Sequence, residues 1–291
     1  MRPMEINMEK ITLLANAKIN LHLDIEGKKD NGYHNIISNM QSVSLCDVIT
    51  LIYEPSDKKE IRVFCNKEDI PTDSNNIAYK AADRILDSGC LDIYIEKNIP
   101  SPAGLAGGSA DAAAVIYGLC KIANIGKTVD EIMSVAAGVG ADVPFCLMGG
   151  NKNIMGIGDI ISEGENIPEK YILIAIKGDG VSTPIAYGML DKLYCDFESY
   201  TPQKHNVAEN LENGVLFNIF EDVIFDVRPN AKEIKDIMQK CGGISLMSGS
   251  GPSVFGLFDS KDLAAKAERE LIAIGASVYL CGFAEQGIVE A

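Results

Sequence analysis

The chain has 291 residues, enough for two ordinary domains or one large one. Hydrophobic residues make up 47% and charged residues 23%, the balance of a globular protein rather than a disordered one. Twenty-six Lys and Arg against 41 Asp and Glu give a net charge of −15, which argues against nucleic acid or an anionic membrane as the main partner.

A small anionic ligand stays open, because a local nest of amides can hold phosphate in an acidic protein. Cys46, Cys65, Cys90, Cys120, Cys146, Cys195, Cys241 and Cys281 form no C-x-x-C pair, and most lie in apolar runs. That pattern predicts buried free thiols in a reducing compartment rather than a zinc site or a disulfide framework. The start, MRPMEINMEKITLL, lacks an apolar leader core, and no apolar run reaches the roughly 18 residues of a membrane span. A cytoplasmic protein is expected, and monomer and homodimer both remain open.

The first part reads as strands. ITLLANAKINLHLDI (residues 11–25) alternates in part, with Ile19, Leu21, Leu23 and Ile25 on one face, and DNGYH follows as a turn around Gly32. NIISNMQSVSL and DVITLIY predict two further strands, and EIRVFC a shorter one. NIAYKAADRILDS has helical spacing, with Ile77, Ala81, Ile85 and Leu86 in one stripe. LDIYIEKNIP is a strand ending at Pro100; helices follow over about 108–123 and 128–138, and then GADVPFCLMGGNKNIMGIGD reads as a glycine-dense loop and strand region.

After about residue 164 the pattern restarts. KYILIAIK is a buried strand, and STPIAYGML opens a helix with Ser182 or Thr183 as cap and Pro184 in its first turn. A helix starting near Pro229 and ending at Gly242–Gly243 precedes strand ISLM, turn SGSG, strand SVFGLF, helix SKDLAAKAERELIAIG and strand SVYLCGF. Two α+β domains, 1–164 and 165–291, are expected.

The segment PSPAGLAGGSA runs from Pro100 to Ala110, between a strand and a helix. Glycine permits positive φ and close approach of an oxyanion, and a helix start offers unpaired N–H groups and partial positive charge. A phosphate cradle and a closely packed helix start both fit. G-x-x-x-x-G-K-[ST] and G-x-G-x-x-G are absent, which removes the two commonest nucleotide fingerprints. Ser109 could serve the helix or a phosphate-bound magnesium. Asp142, in the small and apolar stretch GADVPF, must be paired or functional, since an isolated buried charge is costly. Lys18 has the opposite parity to Ile19 and Leu21, so it could face solvent. MSGSGPSVFGLF (residues 247–258) is a second glycine-rich turn and could be a plain hairpin.

Taken together, AKINLHL, PSPAGLAGGSADAA, GADVPF and MSGSGPSVF, in that order, resemble the motifs of the GHMP small-molecule kinases. The resemblance implies a ribosomal-S5-like N-terminal domain, a ferredoxin-like C-terminal domain, and ATP with Mg2+ between them. It implies that Asp142 is the catalytic base and that Lys18 is the catalytic lysine beside it, orienting the acceptor hydroxyl. It places Pro100, Ser101, Pro102, Ala103, Gly104, Leu105, Ala106, Gly107, Gly108, Ser109 and Ala110 around the triphosphate, and Asn76, Ile77 and Lys97 around adenine and ribose.

NGYH soon after AKINL resembles the branch whose acceptor is a cytidine diphosphate-linked methylerythritol. Asn20, Tyr33, His34 and Tyr187 would then bind that substrate, His34 at the cytosine edge and the tyrosines on its faces. The loop departs from the family in Pro102, Ala103 and Ala106, where glycine is frequent, and Pro102 also removes an N–H. Asn31 replaces the usual aspartate before the turn. A GHMP kinase for mevalonate, homoserine or a sugar is the alternative, and a non-catalytic relative the third reading; Lys18 with Asp142 disfavours the last.

Overall fold

The computed structural model describes residues 8–203 and 206–291; the first half of the segment read above for a leader lies outside them. β1 (Glu9–Lys28) and β2 (His34–Glu54) form a long antiparallel hairpin through the turn at Gly32. The two strands expected over NIISNMQSVSL and DVITLIY are one continuous strand, because its register shifts around Asn16–Ala17 and Asn20–His22 bend the ladder without breaking it. β3 (Lys59–Cys65) is followed by α1 (Ile77–Ile85), β4 (Gly89–Glu96) and α2 (Gly107–Ile122).

Next come α3 (Val129–Val139), with a Thr128–Glu131 capping box, and α4 (Val143–Met148). The latter is a correction to the loop reading: the glycines of GADVPFCLMGG flank this short helix, and Pro144 sits in its first turn. β5 (Asn151–Gly156) and β6 (Ile160–Glu163) close this part.

These strands form one sheet in the order β2, β4, β3 beside β1, with β5 on β2 and β6 on β5. α2 packs on it through Ala112, Val115, Ile116 and Leu119, against Leu13, Ala15, Ala17 and Ile19 of β1. At Gly118 the sheet's side chains leave no room for a Cβ, which would lie 2.4 Å from Leu51 Cδ1.

β7 (Tyr171–Ile176) begins a second sheet, followed by α5 (Thr183–Leu193), α6 (Val207–Glu212), β8 (Phe217–Asn218), α7 (Glu221–Val227), α8 (Pro229–Lys240), β9 (Ile244–Met247), β10 (Val254–Phe258), α9 (Lys261–Ala273), β11 (Ser277–Cys281) and β12 (Ile288–Glu290). The second sheet is antiparallel in the order β11-β7-β10-β9, with α8 and α9 packed on it. That order, with the sequence β7-α8-β9-β10-α9-β11, is the ferredoxin-like split βαβ arrangement. β8 and β12 cross back and pair with β1.

All eight cysteines are free. Only Cys146 and Cys241 are buried, and Cys195 is exposed, which corrects the expectation of buried thiols. No described helix is long and apolar enough to cross a membrane.

Candidate active site

The even-numbered residues of β1 from Asn16 to Asp24 are polar, and every one is buried. Segments from beyond residue 164 cover that face. Asn16 donates to the Gln286 carbonyl at 2.8 Å, and Asp24 accepts from the Tyr200 hydroxyl and the Gln203 N–H, both at 2.7 Å. Lys18, for which solvent was open on parity, is 4% exposed, and its ammonium donates to Asn20 Oδ1 at 2.6 Å. The same oxygen accepts from Gly249 N at 3.0 Å, while Asn20 Nδ2 donates to Ser38 Oγ at 2.9 Å. Asn20 therefore ties β1 to the late glycine turn and holds Lys18 at the floor of a cleft.

The glycine loop forms one wall. Gly104 has φ +77°, and a Cβ there would lie 2.1 Å from the Ser248 carbonyl oxygen. Ser248 Oγ donates to the Gly104 carbonyl at 3.0 Å, Ser253 Oγ donates to the Ala103 carbonyl, and Lys18 N donates to the Leu105 carbonyl at 3.1 Å. Ala106 precedes α2 in the left-handed region, φ 57°, and gives it no side-chain cap. The first-turn N–H groups are thus left for a ligand.

A cavity of about 370 Å³ lies between Lys18, Asn20, Ile77, Asp142, the loop from Pro100 to Ser109, and Gly249–Gly251. A second, of about 640 Å³, adjoins it and is lined by Tyr33, His34, Tyr187 and Asp191. Ser109, Asp142, Ile36, Thr183 and Tyr187 belong to both walls. Asp142, half-buried immediately before α4, stands where the phosphate-sized lobe meets the aromatic one. It shares the first cavity with Lys18, and no ion pair joins the two among the described residues. Burial pushes the Tyr187 phenol up to about 12, with the Asp142 charge adding to it.

In the aromatic lobe His34 stacks on Tyr187, ring centroids 4.6 Å apart, and meets Phe197 edge-on at 5.7 Å. Tyr33 is 62% exposed at the rim. Asp191, which the sequence reading did not single out, accepts from His34 Nε2 at 2.6 Å and from Lys28 at 2.8 Å. Burial opposes ionisation of its carboxyl, but those two bonds outweigh it and hold the group below the ordinary range.

Other expected site residues are engaged by the protein. Asn76 caps α1, accepting from Ala78 N at 2.8 Å and donating to the Pro71 carbonyl at 2.6 Å. Lys97 is buried between Asp47 and Asp111, and it lines a separate cavity with Ile99, Pro100, Ser101 and Tyr279. Burial, with Asp47 close by, pushes the Asp111 carboxyl well up. Asp47 also accepts the N–H groups of Asn98 and Ile99, so the cluster anchors the entry to the loop. Asn218 was likewise missed; its amide donates to the Met247 and Gly249 carbonyls at 2.6 and 2.9 Å and shapes the late turn.

Residues 76–150 match the family described as GHMP kinases N terminal domain, and residues 200–276 match GHMP kinases C terminal. A 4-diphosphocytidyl-2-C-methyl-D-erythritol kinase from Caldicellulosiruptor saccharolyticus is 40% identical over 270 residues, covering 89% of this chain and 92% of the relative. One from Alkaliphilus metalliredigens is 37% identical over 276 residues, covering 91% and 93%. The crystal structure of a 4-(cytidine 5'-diphospho)-2C-methyl-D-erythritol kinase superposes with a TM-score of 0.76 at 30% identity, covering 94% of this chain and 99% of the other. A homoserine kinase from Cytophaga hutchinsonii, 19% identical with a TM-score of 0.72 and coverage of 100% and 99%, shares the fold. With both halves matched and the likeness running almost end to end, the chain belongs to the 4-diphosphocytidyl-2-C-methyl-D-erythritol kinase family of the GHMP kinases.

Proposed function

We propose that this chain transfers the γ-phosphoryl group of ATP to the tertiary C2 hydroxyl of 4-diphosphocytidyl-2-C-methyl-D-erythritol, a step of non-mevalonate isoprenoid precursor synthesis. One observation carries the reading: Asp142 lies on the shared wall of the two lobes, one rimmed by helix-start amides and the other by aromatic rings. The triphosphate occupies the first lobe and the cytidine the second, which leaves the acceptor hydroxyl at Asp142.

Asp142 accepts the hydroxyl proton as that oxygen bonds to the γ-phosphorus and the bond to the ADP oxygen breaks. Lys18, fixed through Asn20, orients the hydroxyl and places positive charge beside the transferring group. Amides from Gly104 to Ser109 hold phosphate oxygens, and Ile77 closes the apolar side. The cavity beside Lys97 and Pro100 receives adenine, against backbone and apolar groups, since the Lys97 ammonium is committed to Asp47 and Asp111. His34 and Tyr187 meet the cytosine, with Tyr33 closing from the open rim.

Magnesium fits this site modestly. No group of three or more His, Cys, Asp or Glu converges as a cage among the described residues. A nucleotide-bound magnesium needs only one or two protein oxygens, and the Ser109 hydroxyl, on the wall shared by the lobes, would supply one. When bound it would neutralise phosphate charge. The domains we propose are 1–164 for ATP and 165–291 for the covering half, with β8 and β12 returned to the first sheet.

The test is ADP release by purified protein with ATP, magnesium and the cytidine-linked methylerythritol, beside mevalonate and homoserine. Turnover of the cytidine-linked alcohol alone supports the reading. Turnover of another alcohol in its place, or tight ATP binding without turnover of any, contradicts it.

A further inference from the structure

Resting on that reading, we infer that Asp191 is the residue that makes this site select cytidine over uridine, by fixing which nitrogen of His34 carries its proton. His34 Nε2 lies 2.6 Å from Asp191 Oδ1, a charge-assisted distance. A carboxylate only accepts, so the bond assigns the proton to Nε2. In the neutral ring Nδ1 is then an acceptor, and it takes no hydrogen bond from the described residues.

Lys28 donates to Asp191 Oδ2 at 2.8 Å, so the carboxylate already has a cation on its second oxygen. Packing fixes the plane of the imidazole, with Tyr187 stacked on it and Phe197 against its edge. His34 is 9% exposed and lines the aromatic lobe, so an acceptor held there is partly dehydrated and sensitive to a mismatched partner.

The consequence follows from the pyrimidine edges. Cytosine presents a 4-amino donor, and uracil presents a carbonyl acceptor at the same place. An Nδ1 acceptor pairs with the first and opposes the second. Sites built around one buried polar group reject the analogue of wrong polarity far more strongly than they reject a change of size. Asp191 is a positioning residue here: it acts on the base through His34 and touches no reacting atom.

The experiment measures kcat/KM for the cytidine-linked substrate and for its uridine-linked counterpart, in wild type, Asp191→Asn and Asp191→Glu. Asn can donate to Nε2 as readily as it accepts, so it releases the tautomer while keeping the shape. The cytidine-to-uridine ratio of Asp191→Asn should fall by about tenfold or more, mainly through KM of the cytidine substrate, with recovery in Asp191→Glu. A smaller fall, or a wild type without preference, overturns the inference. Failure of the wild type on the cytidine substrate would instead overturn the functional reading beneath it. Long-range 1H–15N spectra of the wild-type protein at about pH 8, with His34→Gln for assignment, give a second readout that does not require the variant to fold. A proton on Nε2 alone supports the inference; one on Nδ1, or on both nitrogens, overturns it.

Discussion

Ser248 and Gly104 meet backbone to backbone across the cleft. Ser248 Oγ donates to the Gly104 carbonyl at 3.0 Å, and the Ser248 carbonyl oxygen fills the space that a Cβ on Gly104 would need. The two glycine-rich motifs, far apart in sequence, are thus one contact, and the geometry of the phosphate wall depends on it.

Gly104→Ala should destabilise the protein by about 2–3 kcal/mol, because a positive φ and a backbone overlap act at one residue. Urea denaturation checks this, and KM for ATP should rise in the same variant. A loss below about 1 kcal/mol would mean that the contact relaxes easily.

Lys97→Met should cost about 3–5 kcal/mol, since it leaves the buried Asp47 and Asp111 carboxyls without their cation. Equilibrium unfolding measures the loss. A near-neutral result would remove the cluster as an anchor of the loop.

The Asp191 carboxyl is held below its ordinary value of 3.8. A depressed acid contributes stability that is complete above the unfolded value and lost as pH falls through the lower folded one. The stability difference between wild type and Asp191→Asn should therefore be constant near neutrality and shrink as pH drops below the ordinary carboxylate range. Unfolding curves across that range test the sign, and a difference that grows on acidification would contradict it.

Much of this site was readable from residue order. The strand bearing Lys18, the strand–glycine–helix passage and the small-residue helix behind it follow from alternation, φ freedom and helical spacing. α4 was not, because six residues are too short to show a period and their flanking glycines suggested loop. Lys18 stayed ambiguous because a solvent face and a face covered by a second domain have the same alternation. Asp47, Asp111, Asp191 and Asn218 carry no local signal; each matters through a partner distant in sequence. Ala106 read as a departure from glycine, yet it occupies a left-handed φ of 57°, the conformation that glycine adopts without strain.

The most direct test of the account is single-turnover phosphoryl transfer to the cytidine-linked methylerythritol by Asp142→Asn. If Asp142 takes the hydroxyl proton where the two lobes join, the rate falls by about 10²–10⁴ while binding of both substrates is largely kept. A variant that transfers within about threefold of wild type would contradict the assignment of Asp142 as base.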